Sequence, residues 1–224
     1  MGSVLPYLSA YERIEFPSGT DENGIAAIGG NLSPGMLLSA YEQGLFPWYN
    51  SGEPILWWNP HSRAVLLPGT LHLSGSYRRF IRRERVTVTE DQAFEAVIRT
   101  CGTIERPGQE GTWLGEEMID AYLELHRLGY AHSVEVWYES YSEVMPAGGL
   151  YGIRLGRMFC GESMFSRASN ASKVALEHLH SRMVEEEWVM IDCQVMNEHL
   201  RFMGAREIPR RQYQRLLRQA LSPR

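Results

Sequence analysis

From about residue 75 onward, apolar residues recur at two different spacings, and the spacing changes several times. "VTVT" (86–89) and "HSVEVWYE" (132–139) place them at every second position, as a half-buried strand requires. "EDQAFEAVIRTC" (90–101) and "GEEMIDAYLELHRLG" (115–129) repeat them at helical spacing, and Gly129 ends the second helix. "HSVEVWYE", "GGLYGIRLG" (148–156) and "RMFCGESMF" (157–165) follow one another closely enough to form an antiparallel meander. A long helix from about 169 to 187, a strand "VMIDCQV" (189–195) and two short helical patterns complete the chain. An arginine-rich helix over about 75–84 opens this regular part.

The first ~70 residues have a different texture, rich in Gly, Pro and aromatics, with one clear helix. Ser33 caps it, Pro34 takes its first turn, and Gly44 closes it after Gln43. The change near "LLPGTLHLSG" predicts a small N-terminal domain over 1–70 and a larger one over 71–224. "GLFPWYNSGEPILWWNP" (44–60) holds three tryptophans, a tyrosine and a phenylalanine among three prolines. Such a stretch is either packing or a platform for a flat ligand. Trp48, just past the helix, is expected to face the ligand, and Trp57 and Trp58 to join the two domains.

Charge adds one feature to this picture. The chain carries a net charge of −5 and a single lysine, Lys173, yet "YRRFIRRER" sets Arg78, Arg79, Arg82, Arg83 and Arg85 against one acid, Glu84. A charge run is ordinarily a solvated face, but uncompensated like charges in an acidic protein also fit a phosphate-binding patch. The basic C-terminal segment reads as an amphipathic helix. Cys101, Cys160 and Cys193 lack CxxC spacing and read as small buried hydrophobes, so neither a metal nor a cofactor is expected. No apolar run approaches the roughly 20 residues of a membrane span, and a cytoplasmic location is expected.

The element order predicts an α+β fold with a central mixed, mostly antiparallel sheet. It is similar to the GNAT-like acyltransferase fold, in which two parallel neighbouring strands splay apart and the acyl donor enters the opening. Here those strands are 157–165 and 189–195, although "FSRASNAS" stands where that family's acetyl-CoA loop would be. Alternation sends Asp192 and Gln194 to one face of the second strand and Ile191, Cys193 and Val195 to the other. Glu162 on the neighbouring strand would add a second carboxylate, with Phe159, Met164 and Ile191 as apolar wall. Carboxylates around an apolar slot suit an amine beside a greasy group. Without a ligand role, the same polar residues would satisfy nearby loop backbone.

Several longer motifs point further: "GLFPWYNSGEPILWWNPHSRAVL", "GTW" (111–113), "YAHSVEVW", "FCGESMFSR" with "NASKVAL", and "IDCQV" with "MGAREIPRRQY". From about Asn23 to Tyr213 the chain resembles the leucyl/phenylalanyl-tRNA-protein transferases. The resemblance implies transfer of Leu or Phe, and Met less well, from aminoacyl-tRNA to proteins with N-terminal Arg or Lys, marking them for N-end-rule degradation. It places Trp48 and Trp113 on the terminal adenosine, and Leu150, Phe159, Met164 and Ile191 around the amino-acid side chain. The Arg78–Arg85 run would meet tRNA phosphates. It also implies a catalytic relay from Asp192 to Gln194; a neutral amide is a weak base, so Gln194 is expected to orient the amine while Asp192 fixes its amide. Glu162 would hold either the acceptor's cationic side chain or the donor amino acid. An acyl-CoA N-acyltransferase and a noncatalytic tRNA- or peptide-binding relative are the alternatives.

Overall fold

A computed structural model describes residues 3–5, 10–104, 114–142 and 144–223. The N-terminal region builds β1 (Ser3–Leu5), β2 (Ile25–Gly29), α1 (Pro34–Glu42), β3 (Phe46–Pro47) and β4 (Leu56–Trp58). Ser33 Oγ accepts from the Met36 backbone N–H, and Pro34 occupies the first turn of α1 as its sequence predicts. Gly44 then takes φ +85°, which turns the chain out of the helix into β3. The four strands pair in the order β1-β2-β4-β3, so the aromatic stretch is a hairpin rather than a loop.

The larger sheet begins with β5 (Ser62–Leu66), which lies within the first 70 residues. It continues through α2 (Gly75–Ile81), β6 (Val86–Glu90), α3 (Phe94–Thr103), α4 (Glu116–Arg127), β7 (Ala131–Tyr138), β8 (Gly148–Leu155) and β9 (Met158–Ser166). After these come α5 (Ala171–Glu185), β10 (Met190–Gln194), α6 (Glu198–Phe202), β11 (Arg206–Pro209) and α7 (Arg210–Leu221). The strand order is β11-β5-β10-β9-β8-β7-β6, a mixed α+β arrangement in which only β9 and β10 run parallel.

Alternation along the strands separates two cores. One face carries Tyr151, Ile153, Met158 and Cys160 against residues of α1, α3, α4 and α7. The opposite face carries Val134, Leu150, Phe159 and Ile191 against residues of α2, α5 and α6. Burying both faces is what allows a sheet to carry near-continuous apolar runs.

Two irregularities locate the site. Between β8 and β9, Tyr151 pairs with Ser163 and Gly152 with Gly161, so Glu162 is an extra, bulged residue. Gly152 is obligatory there, because a Cβ would stand 2.0 Å from the Cys160 carbonyl oxygen. Between β10 and β5, Asp192 pairs with Val65 and Gln194 with Ala64, which bulges Cys193 and leaves Gln194 at φ +61°. Bulges re-aim side chains and end regular pairing. The β9–β10 register stops at the Asp192–Cys160 pair, and beyond it the two strands no longer pair.

Candidate active site

A cavity of about 850 Å³ opens where β9 and β10 part. Leu150, Met164, Leu176, Leu179, Ile191 and Leu200 make its apolar part. The β3–β4 hairpin supplies another wall with Phe46, Trp48 and Trp58, and Glu162 and Gln194 also line it.

Asp192 is fully buried and does not line this cavity. Arg63, on β5, meets it through two hydrogen bonds: Nε donates to Oδ1 at 2.8 Å and Nη2 to Oδ2 at 2.7 Å. Tyr213 Oη donates to Oδ2 at 2.8 Å, and the Gln194 backbone N–H donates to Oδ1 at 2.9 Å. The Arg63 guanidinium lies over the rings of Phe46 and Tyr213 at 4.5 and 4.6 Å and also donates to the Gly44 carbonyl. Burial alone would lower its pKa, but the facing charge of Asp192 outweighs this and holds the guanidinium above its ordinary range. Asp192 is thus committed as an acceptor and has no contact with the Gln194 side-chain amide. The expectation that it fixes that amide does not survive the geometry.

Glu162 does hold it. Gln194 Nε2 donates to Glu162 Oε1 at 2.8 Å, which leaves the amide oxygen with no donor among the described residues. Tyr122 Oη donates to Glu162 Oε2 at 2.9 Å, and Tyr122 and Tyr41 share a short hydrogen bond. Burial pushes Glu162 up to about 7; hydrogen bonds from Tyr41 and Tyr122 oppose the rise, Asp192 adds to it, and Arg63 counters it. A carboxyl titrating near neutrality beside a cavity can both take and return a proton.

The remaining expected residues divide. Trp48 is 42% exposed and lines the cavity, as do Leu150, Met164 and Ile191. Phe159 lies behind the wall, stacked on Trp188 at 6.3 Å with nearly parallel rings. Trp113 lies outside the described residues. Trp57 is fully buried, but Trp58 faces the cavity 5.6 Å from the Trp48 ring and donates its Nε1–H to the Trp48 carbonyl. Period-2 alternation in the hairpin separates these neighbours: Trp57 lies wholly in the core, and Trp58 packs against it with one part while lining the cavity with another.

Arg78, Arg79, Arg82, Arg83 and Arg85 are all exposed. Helix α2 ends at Ile81, so Arg82 caps it and Arg83 and Arg85 follow in the turn before β6. Arg85 pairs with Glu139 at 3.2 Å, and the other four meet no carboxylate among the described residues. No group of three or more His, Cys, Asp or Glu able to hold a metal occurs among the described residues, and no described helix is long and apolar enough to cross a membrane.

The model of the leucyl/phenylalanyl-tRNA protein transferase family matches residues 65–218, and that of the family's N-terminal domain matches residues 30–61. The chain belongs to this family. A leucyl/phenylalanyl-tRNA–protein transferase from Syntrophus aciditrophicus is 54% identical over 89% of this chain and 82% of its own. Another, from Edwardsiella ictaluri, is 51% identical over 91% and 83%. Among solved structures, that of L-PGS from Bacillus licheniformis aligns over 62% of this chain and 49% of its own, at TM-score 0.41 and 16% identity. Membership in the transferase family makes the chain an aminoacyltransferase, with an aminoacyl-tRNA and a protein as its substrates.

Sequence reasoning missed Arg63, Tyr213, Tyr41 and Tyr122. For Arg63 a signal was present: one charge inside the apolar run "RAVLL" must find a partner once the run is buried. The tyrosines sit at ordinary core positions of α1, α4 and α7, and only the tertiary structure brings them to Asp192 and Glu162.

Proposed function

We propose that this protein moves Leu or Phe, and Met less well, from aminoacyl-tRNA to the α-amino group of proteins beginning with Arg or Lys. The product is a peptide bond that marks its bearer for N-end-rule degradation in the cytoplasm. The observation that carries this reading is the Glu162–Gln194 pair at the edge of an apolar cavity, in the opening between two parallel strands. That opening also supports a GNAT-like reading of the larger, C-terminal part of the chain, with an esterified amino acid in place of an acyl-CoA.

The apolar wall takes the donor side chain. A slot of Leu150, Met164 and Ile191 suits chains unbranched at Cβ, and one misplaced methyl changes selectivity by only about 1–3 kcal/mol, so the three donors are graded rather than absolute. Trp48 stacks on the terminal adenosine, worth roughly 1–3 kcal/mol. The unpaired arginines of α2 and the turn after it contact phosphates without reading sequence, which makes binding salt-dependent.

The α-amine of a peptide has a pKa of about 7.7–8.0, so a neutral fraction is available near pH 7. The Gln194 amide oxygen, aimed by the Nε2 bond to Glu162, accepts a hydrogen bond from this amine and orients its lone pair. The amine nitrogen attacks the ester carbonyl carbon, and its proton passes to the Glu162 carboxylate. When the bond from that carbon to the ribose oxygen breaks, Glu162 returns the proton to the leaving oxygen. Asp192 and Arg63 hold the β10 bulge that aims Gln194 and take no proton.

Purified protein incubated with radiolabelled Leu-tRNA or Phe-tRNA and peptides beginning with Arg, Lys or Ala tests the reading. Label is expected on the Arg and Lys peptides and not on the Ala peptide. No transfer to any peptide overturns it in favour of a noncatalytic binding relative, and transfer of an acyl group from acyl-CoA overturns it in favour of an ordinary N-acyltransferase.

A further inference from the structure

The reaction proposed above needs something that recognises a cationic N-terminal side chain, and Glu162 is poorly placed for it. Each of its oxygens already accepts one hydrogen bond, from Tyr122 or Gln194, it is only 9% exposed, and its remaining acceptor capacity serves the amine proton. Among the described residues that line the cavity, one other acid is present, Glu53. It stands at the tip of the β3–β4 hairpin, in a turn closed by its own backbone N–H to the Asn50 carbonyl at 3.0 Å. Asn50 Nδ2 donates to Oε2, also at 3.0 Å, and Oε1 meets no donor among the described residues. Glu53 therefore offers a steered carboxylate with a free oxygen, exposed to solvent.

The surroundings favour a cation. The described lining includes no Arg and no Lys, and burial, with the charge of Lys173 behind it, lowers the pKa of its one histidine, His199, which favours the neutral ring. Tyr49, beside Trp48 on the same wall, is pushed up to about 12 by burial and by the charge of Glu117, so its hydroxyl stays neutral and brings no charge to this wall. The Trp58 ring adds aromatic surface on the same wall, to which guanidinium and ammonium groups are attracted. Resting on the aminoacyl-transfer reading, we propose that Glu53 is the specificity-determining carboxylate for the acceptor, binding the guanidinium or ammonium of its N-terminal Arg or Lys while Gln194 meets the α-amine. A carboxylate bonded to guanidinium or ammonium is a charge-assisted contact, stronger than a neutral one.

The test is steady-state transfer by Glu53→Gln and Glu53→Lys variants of the full chain, with peptides beginning with Arg, Lys, Ala or Glu. Glu53 is exposed on a turn, and neither change removes a core contact. For Glu53→Gln, KM for the Arg and Lys peptides is expected to rise about tenfold with kcat nearly unchanged, while KM for aminoacyl-tRNA stays put. Added salt, which raises the Arg-peptide KM of the wild type, is expected to have less effect on the variant. Glu53→Lys should raise the Arg-peptide KM further and shift preference toward the Glu peptide. Binding of the Arg peptide alone, followed by tryptophan fluorescence, should weaken in parallel.

Unchanged KM and unchanged Arg-over-Ala preference in both variants, with an active wild type, would overturn the proposal. So would an Arg-over-Ala preference that collapses in Glu162→Gln and persists in Glu53→Gln. A wild type that transfers nothing overturns the transferase reading itself and this inference with it, an outcome distinct from the other two.

Discussion

Asp192 and Glu162 are buried carboxylates on neighbouring strands, and each touches Gln194, one through its backbone and the other through its side chain. They differ in what neutralises them. Asp192 faces a guanidinium in a two-point ion pair, with a tyrosine hydroxyl and a backbone N–H filling its remaining acceptor sites. Glu162 has hydroxyl and amide donors and no direct cation. The ion pair and its neighbouring donors fix Asp192 in place, whereas burial without a direct cation pushes Glu162 up to about 7, where it can exchange a proton. The same residue chemistry thus gives a fixed post on one strand and a titrating group on the next.

The sharpest way to break this contrast is to remove the cation. Arg63→Met leaves Asp192 buried without its partner and is expected to destabilise the fold by about 3–5 kcal/mol in chemical denaturation. Asp192→Asn strands Arg63 in the same way, so its damage should appear in stability as well as turnover. The double variant Arg63→Met/Asp192→Leu should recover much of the stability, because an apolar pair needs no compensation. Activity should not return with it, since the bulge that aims Gln194 would have lost its Asp192 anchor.

Glu162→Gln attacks the other side of the comparison. With the proton carrier gone, kcat is expected to fall by about 10²–10⁴, and the acid limb of the rate profile to lose the contribution of Glu162 and keep only that of the amine. Stability should move in the opposite direction. The folded pKa is raised from 4.5 to about 7, so this carboxyl's contribution to stability is fully present below pH 4.5 and falls by on the order of 3 kcal/mol as pH rises through 7. At pH 8 the glutamine variant should therefore melt higher than the wild type. The reverse order would mean that Glu162 is ionised and well solvated in the fold.

These two carboxylates also mark how far the sequence could be read. Alternation was sufficient for the meander β7–β8–β9, and the Ser33, Pro34 and Gly44 punctuation for α1, while the parallel neighbours β9 and β10 were expected from the likeness to the acyltransferase fold. The hairpin β3–β4 was missed because prolines and tryptophans mask alternation in short strands, and β5 because its buried run "RAVL" does not alternate. Strand β11 was missed for a related reason: "REIP" is short, charged and ends in proline. Glu162, Gln194 and Asp192 were found as residues, but their roles were not legible. Two β-bulges decide which way Glu162 and Gln194 point, and a bulge is set by pairing with distant strands rather than by local pattern. The partners that set the charge states, Arg63 and Tyr122, lie 129 and 40 residues away from the acids they hold.

The finest test leaves both carboxylates in place and changes one donor. The hydrogen bond from Tyr122 lowers the pKa of Glu162, working against the burial that raises it. Tyr122→Phe removes that hydroxyl, and the protonated acid gains relative to the carboxylate. The acid limb of kcat is expected to move upward by about one pH unit, since a hydrogen bond to a charged group is worth about 1.5–3 kcal/mol and the one from Tyr41 remains to offset part of the loss. The direction is diagnostic. At pH 8.5, above the shifted limb, the variant should approach wild-type turnover, and at pH 6.5 it should fall well below. Equal losses at both pH values would mean that Tyr122 acts by packing in the core, and that the tuning of Glu162 comes from elsewhere.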